Sequence, residues 1–95
     1  MSYLIRHQSE VLEDIRQIPE NLRLRIQRAI NHRLGTAPDL YGERLGKDLA
    51  GLWKLRVGDY RVVFKLDTEA KRVTIWCIRN RKNVYPETQR RWHRR

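Results

Sequence analysis

The stretch Leu52-Trp-Lys-Leu-Arg-Val-Gly-Asp-Tyr-Arg-Val-Val-Phe64 constrains the fold more than any other part of the chain. Two runs of alternating residues flank Gly58-Asp59, and a glycine-containing pair between such runs predicts a two-residue hairpin turn. Successive residues of a strand point to opposite faces of the sheet. With Val57 and Tyr60 paired across the turn, Leu55, Val57, Tyr60 and Val62 share one face. Arg56 then stands opposite Arg61 on the other face, with Lys54 two positions further along. Like charges directly opposite each other destabilise a sheet by roughly 0.2–1 kcal/mol per pair. Three cations converging on one face therefore point to an anion as their partner.

The overall charge suggests which anion. The chain has 95 residues, with 21 Lys and Arg against 11 Asp and Glu, for a net charge of +10. Arginine dominates, since Lys47, Lys54, Lys65, Lys71 and Lys82 are the only lysines. The planar guanidinium fork matches phosphate with two parallel hydrogen bonds. Such a surplus predicts salt-sensitive attraction to nucleic acid or to an acidic protein, and charge by itself does not separate the two. Nucleic-acid phosphate fits the whole composition best.

The length and the 40% apolar content suit one domain, residues 1–95, with one modest core. Cys77 is the single cysteine. It cannot form an internal disulfide or assemble a metal site alone, and its place in the apolar run Val73 to Ile78 reads as a small buried hydrophobe. His7, His32 and His93 are scattered, so neither a metal nor a cofactor is expected. The start, Met1 to His7, has no apolar core of the signal-peptide kind, and no segment approaches the ~18 apolar residues of a membrane span. The expectation is a cytoplasmic protein with no membrane partner.

Along the chain, residues 2–7 read as a first strand. Ser9 is placed to cap a helix carrying Val11, Leu12, Ile15 and Ile18 at helical spacing. Pro19 ends it and suits the first turn of a second helix, which carries Leu22, Ile26, Ala29, Ile30 and Leu34 on one side and stops near Gly35. Thr36 to Arg44 reads as a loop. Strands at about 52–57, 60–67 and 72–79 form an antiparallel meander, and Pro86 opens a short last helix, about 86–93, without a strong apolar face. The fold class is α+β: a small antiparallel sheet with an N-terminal two-helix hairpin on one face, a basic cleft on the other and a short C-terminal helix. Trp53, Phe64, Tyr60 and Trp92 are expected to pack rather than to bind.

After the last strand comes Arg79-Asn-Arg-Lys-Asn-Val-Tyr85, the start of a tail with seven basic residues (Arg79, Arg81, Lys82, Arg90, Arg91, Arg94 and Arg95) and one acidic residue, Glu87. If the strand exit lies beside the hairpin, Arg81 and Tyr85 join Lys54, Arg56 and Arg61 in a cationic cleft with one phenol. RNA carries its own nucleophile, the 2′-hydroxyl, so a cleft that cuts it must align the backbone, stabilise charge and manage two protons. Cations around a tyrosine stabilise its phenolate and make it a feasible base. The same ring could instead stack on a nucleobase.

These two segments, at this separation, resemble the RelE/ParE superfamily of toxins from bacterial toxin–antitoxin pairs, and the resemblance spans essentially the whole chain. It implies the RelE-like fold and, for the RelE-type branch, a metal-independent, ribosome-dependent endoribonuclease that cuts mRNA, leaving a 2′,3′-cyclic or 3′-phosphate and a 5′-hydroxyl. By motif position the implied catalytic residues are Lys54, Arg61, Arg81 and Tyr85, with Tyr85 as base and Arg81 at the leaving group. Arg56, Arg79, Lys82, Arg90 and Arg91 are assigned to RNA phosphate. The implied partners are a cognate antitoxin, mRNA and the ribosome, with operator DNA reached only through the antitoxin complex. Two departures stand out: Leu52 occupies a position where some members carry a further lysine, and the Glu–His arrangement of other relatives is absent near the motif. The alternative branch, ParE-type toxins, shares the fold and inhibits DNA gyrase without nuclease activity.

Overall fold

The computed structural model describes residues 2–95. The elements in chain order are β1 (Leu4–His7), α1 (Val11–Gln17), α2 (Glu20–Ala29, prolonged by a π-helical turn over Ile30–Leu34), α3 (Pro38–Tyr41), β2 (Glu43–Arg44), a 3-10 turn (Lys47–Leu49), β3 (Trp53–Val57), β4 (Tyr60–Asp67), β5 (Arg72–Asn80) and α4 (Val84–Arg94). The strands form one sheet in the order β1-β5-β4-β3-β2. No helix among the described residues is long and apolar enough to cross a membrane.

The hairpin forms in the register that the alternation requires. Val57 pairs with Tyr60, Arg56 with Arg61 and Lys54 with Val63. Gly58 takes φ +59° at the first central position of the turn, as a type II′ hairpin demands. The meander is antiparallel as expected, but β1 lies parallel to β5, so the sheet is mixed. A parallel neighbour needs a long crossover. The helical hairpin begins that crossover, and the run of residues gives no sign of which strand β1 will join.

Helices α1 and α2 cover the face bearing Leu55, Val57, Val62 and Phe64, and bury Val11, Ile18, Ile26, Ile30 and Leu34 against it. Ile18 is extended (ψ 130°), the conformation favoured before a proline, and this separates the two helices. Ser9 provides no side-chain cap; the Glu10 amide donates to Gln8 Oε1 instead. Leu12 remains about half exposed. The segment read as a loop contains α3 and the edge strand β2, which pairs Glu43 with Lys54. A Cβ at Gly42 would stand 2.7 Å from Cζ of Phe64 and 2.8 Å from the Pro38 carbonyl oxygen, so this crossing requires glycine.

The other face also has a cover. Helix α4 begins at Val84, two residues before Pro86, and buries Val84, Thr88, Arg91 and Trp92. Its buried stripe went unseen in the sequence because an arginine is one of its members. It packs with Leu52, Val63 and Cys77, and Trp92 meets Trp76 edge-on at 5.0 Å between centroids. Cys77 is fully buried, and burial pushes its thiol up to about 11. A bulge makes this second core possible. The register jumps from Val63–Cys77 to Phe64–Ile75, leaving Trp76 as the extra residue. Trp76 and Cys77 can then both face α4, while Ile75 and Ile78 face the helical hairpin. The freed Trp76 carbonyl accepts from Gln8 Nε2 (2.9 Å) and Arg91 Nη1 (2.8 Å).

Asp14 joins α1, β5 and α4. Its carboxylate is fully buried and accepts four hydrogen bonds: from the Ile78 amide (3.0 Å), Arg79 Nε (3.1 Å), and Nη1 and Nη2 of Arg91 (both 2.8 Å). Removing one partner of a buried ion pair costs about 3–5 kcal/mol, because the other charge is left uncompensated. Asp14→Ala is expected to lower unfolding free energy in urea by that amount; a loss under about 1 kcal/mol, the scale of an exposed pair, would contradict this role. Gly42→Ala is expected to cost about 1–3 kcal/mol through overpacking against Phe64 and an unyielding backbone carbonyl, read as a lower urea midpoint.

Candidate functional site

Of the expected cations, Lys54, Arg56 and Arg61 share the sheet face opposite the helical hairpin. Arg56 pairs across the strands with Arg61, and Arg61 with Arg79, so three arginines stand abreast on β3, β4 and β5. Lys54 lies on the same face of β3, and its Nζ is 6.0 Å from the centroid of the Tyr85 ring, within cation–π range. Tyr85 reaches this point because α4 starts one residue before it, and Val84 is fully buried in the second core. The tyrosine itself is half-buried. Beside it a shallow cleft of about 320 Å³ opens between Lys47–Leu49 and the first turns of α4 at Pro86 and Gln89.

Arg61 is 9% exposed, and its Nη1 donates to the carbonyls of Gly58 (3.0 Å) and Tyr60 (2.9 Å). The hairpin turn thus fixes the guanidinium, leaving Nε and Nη2 without a protein acceptor among the described residues. Arg81 follows β5, held to the same turn by its amide, which donates to the Asp59 carbonyl at 2.8 Å, and its side chain is exposed. Lys82 is exposed as well; its amide is held by Asn80 Oδ1 at 2.8 Å. Lys54, Arg56 and Arg61 therefore share one face with Tyr85 over it, while Arg81 and Lys82 stand at the exit of β5.

The tail behaves differently from the expectation. Arg91 is 2% exposed and clamped to Asp14, so it is an anchor for α4 and not an RNA phosphate contact. Arg90 donates to Glu87 and Glu10, and Arg94 to Glu10, which binds these cations to carboxylates of the chain itself. Arg79 gives Nε to Asp14 and keeps its side chain 28% exposed. The sequence reading missed Asp14, although an acid among Val11, Ile15 and Ile18 interrupts an otherwise apolar stripe and so signals a buried carboxylate. It also missed Glu10, which is far from the tail in sequence and close to it in space.

A family model described as the ParE toxin of the type II toxin–antitoxin system parDE matches residues 5–85. Among curated proteins, the chain is 26% identical over 85 residues to toxin RelG of Mycobacterium tuberculosis, covering 90% of this chain and 98% of that one. It is 35% identical over 72 residues to toxin RelE of the same organism, covering 76% of this chain and 74% of that one. Among solved structures, the M. tuberculosis toxin–antitoxin complex RelBE2 contains a chain that superposes with a TM-score of 0.80 at 25% identity, covering 85% of this chain and all of that one.

The carboxylates that hold α4 make its docking acid-sensitive. Hydrogen bonding from Arg90, with further help from Arg91, holds Glu87 down at about 2 from its ordinary 4.5, and Arg90 likewise lowers Glu10. A carboxyl group whose folded value is depressed contributes stability above its unfolded value and loses it as pH falls through the folded one. The thermal midpoint is expected to be flat down to about pH 5 and to drop towards pH 2, with a shallower drop in that window for Glu87→Gln. An identical acid profile in the variant would show that Glu87 does not hold the helix.

Proposed function

Since the chain belongs to the ParE toxin family of type II toxin–antitoxin systems, within the RelE/ParE superfamily, we propose that it is the toxin of such a pair and acts as a ribosome-dependent mRNA endoribonuclease. One observation carries the reading: the Lys54 ammonium 6.0 Å from the Tyr85 ring centroid, beside the row of Arg56, Arg61 and Arg79. Cations from three strands and one phenol suit the charge stabilisation and proton transfer that in-line attack by a 2′-hydroxyl needs.

Tyr85 takes the 2′-hydroxyl proton as the 2′-oxygen bonds to phosphorus. The 5′-oxygen leaves with its electron pair, Arg81 stabilises it, and a proton from water makes it a hydroxyl, while Tyr85 returns the proton it took to solvent. Lys54, Arg56 and Arg61 carry the charge that accumulates on the phosphorane oxygens. Arg61 suits this because its guanidinium is already fixed by two carbonyls and needs little reorganisation. Lys82 and the exposed edge of Arg79 add attraction to the flanking backbone. The cognate partner is an antitoxin with an acidic segment that neutralises this face. That the matching family model is described as a ParE toxin favours one other reading, inhibition of DNA gyrase without RNA cleavage.

Mapping transcript 5′ ends after a short pulse of induction separates the two. The expected result is new 5′-hydroxyl ends within translated regions, slowed about 10²–10⁴-fold by Tyr85→Phe, the range for loss of a general base. Growth arrest with intact transcripts and altered DNA supercoiling would favour the gyrase reading.

A further inference from the structure

An open cleft of about 790 Å³, larger than the one beside Tyr85, lies elsewhere on the molecule. It lies between α2 and the tip of the β3–β4 hairpin, lined by Arg25, Arg28, His32, Arg33, Arg56 and Gly58 among others. The cleft is built with some care. A Cβ on Gly58 would stand 3.1 Å from Arg25 Nη1, so the bare glycine lets this guanidinium lie against the turn. His32 and Arg33 sit in the π-helical turn that prolongs α2, a departure from α geometry that often marks functional positions.

The charges in the cleft contrast with those of the tail. Arg79, Arg90, Arg91 and Arg94 all have carboxylate partners, whereas no ion pair among the described residues includes Arg25, Arg28, Arg33 or Arg56. Asp59 lies in the wall and neutralises only part of this charge. Arg25, Arg28 and Arg33, with Arg56 at the edge of the hairpin wall, line one concavity without ion-pair partners and so form a site for a polyanion. Arg56 belongs both to the cleft and to the arginine row, so the two basic surfaces are continuous. At the far end the exposed Tyr41 ring lies 6.4 Å from the His32 ring, with the Arg33 guanidinium 5.9 Å above it. Arginines with an exposed ring are the elements that hold single-stranded nucleic acid.

We propose that this cleft binds the phosphodiester backbone of an RNA strand, which runs from the Tyr85 face past Arg56 and into the groove between α2 and the hairpin. The inference rests on RNA being the ligand of that face, but not on its cleavage. An acidic protein segment is the competing occupant; RNA is favoured because Arg56 makes the cleft continuous with the arginine row on the Tyr85 face.

The test is fluorescence anisotropy on the full chain with a short, labelled 2′-O-methyl oligoribonucleotide, which cannot be cleaved, and with a polyaspartate peptide of matched charge. The triple variant Arg25→Gln/Arg28→Gln/Arg33→Gln is expected to bind RNA at least about 10-fold more weakly and to lower the slope of log affinity against log salt by about 2, three contacts at ~0.7 each. Arg25→Lys/Arg28→Lys/Arg33→Lys is expected to restore most of the slope, which a merely misfolded protein would not do. Unchanged RNA affinity in the glutamine variant, with affinity lost in Lys54→Ala, would overturn the cleft and leave the Tyr85 face standing. Wild-type protein that binds no RNA would overturn both. Polyaspartate binding as tight as RNA, lost in the same glutamine variant, would overturn the inference in favour of a protein partner.

Discussion

The arrangement depends on one buried carboxylate. Asp14 sits on α1 where β1 has ended and the edge of β5 would otherwise be bare. It accepts the Ile78 amide there, and Arg91 of α4 reaches over the edge to meet it. A fully buried carboxylate is unfavourable unless paired and hydrogen-bonded. Asp14 has two guanidinium partners and one amide, so it is satisfied only when α1, β5 and α4 are all in place. The bulge at Trp76 contributes to the same junction by freeing a carbonyl that Arg91 also uses.

The consequence for function is positional. Tyr85 lies in the first turn of α4, where its half-buried ring packs against the second core beside Lys54. Its place is set by Val84 in the second core and by Arg91 two turns later. The tail cations are accordingly structural, and the cations left to face a ligand are those of the hairpin, the exit of β5 and α2. At the α1–α4 junction Glu10, Asp14 and Glu87 absorb the charge of Arg79, Arg90, Arg91 and Arg94, while Lys54, Arg56 and Arg61 have no ion-pair partner among the described residues. An antitoxin that drew α4 away would disturb Tyr85 and uncover these carboxylates together.

Much of this was legible in the sequence, and the legible parts are local. Strict alternation around Gly58-Asp59 fixes the hairpin register, and with it the face shared by Lys54, Arg56 and Arg61. The apolar spacing from Ile18 to Leu34 fixes the inward side of the second helix. Three things depend on long-range partners and left little trace. The parallel placement of β1 needs the whole crossover. The two-residue edge strand β2 has too few residues to show a period. The fate of the tail arginines is decided by Glu10 and Asp14, whose separation from Arg91 exceeds 70 positions. The C-terminal helix looked polar because the buried side of its third turn is an arginine whose charge is cancelled from across the molecule.

The central claim is that Tyr85 and the hairpin cations meet on one RNA phosphate. Its most direct test is a structure of the chain on a translating ribosome whose mRNA carries a single 2′-O-methyl group in the decoding site. The account predicts the methylated 2′-oxygen beside the Tyr85 hydroxyl, with the adjacent phosphate held between Lys54 and Arg61. Messenger RNA lying away from Tyr85, or a chain that does not occupy the decoding site at all, would contradict it.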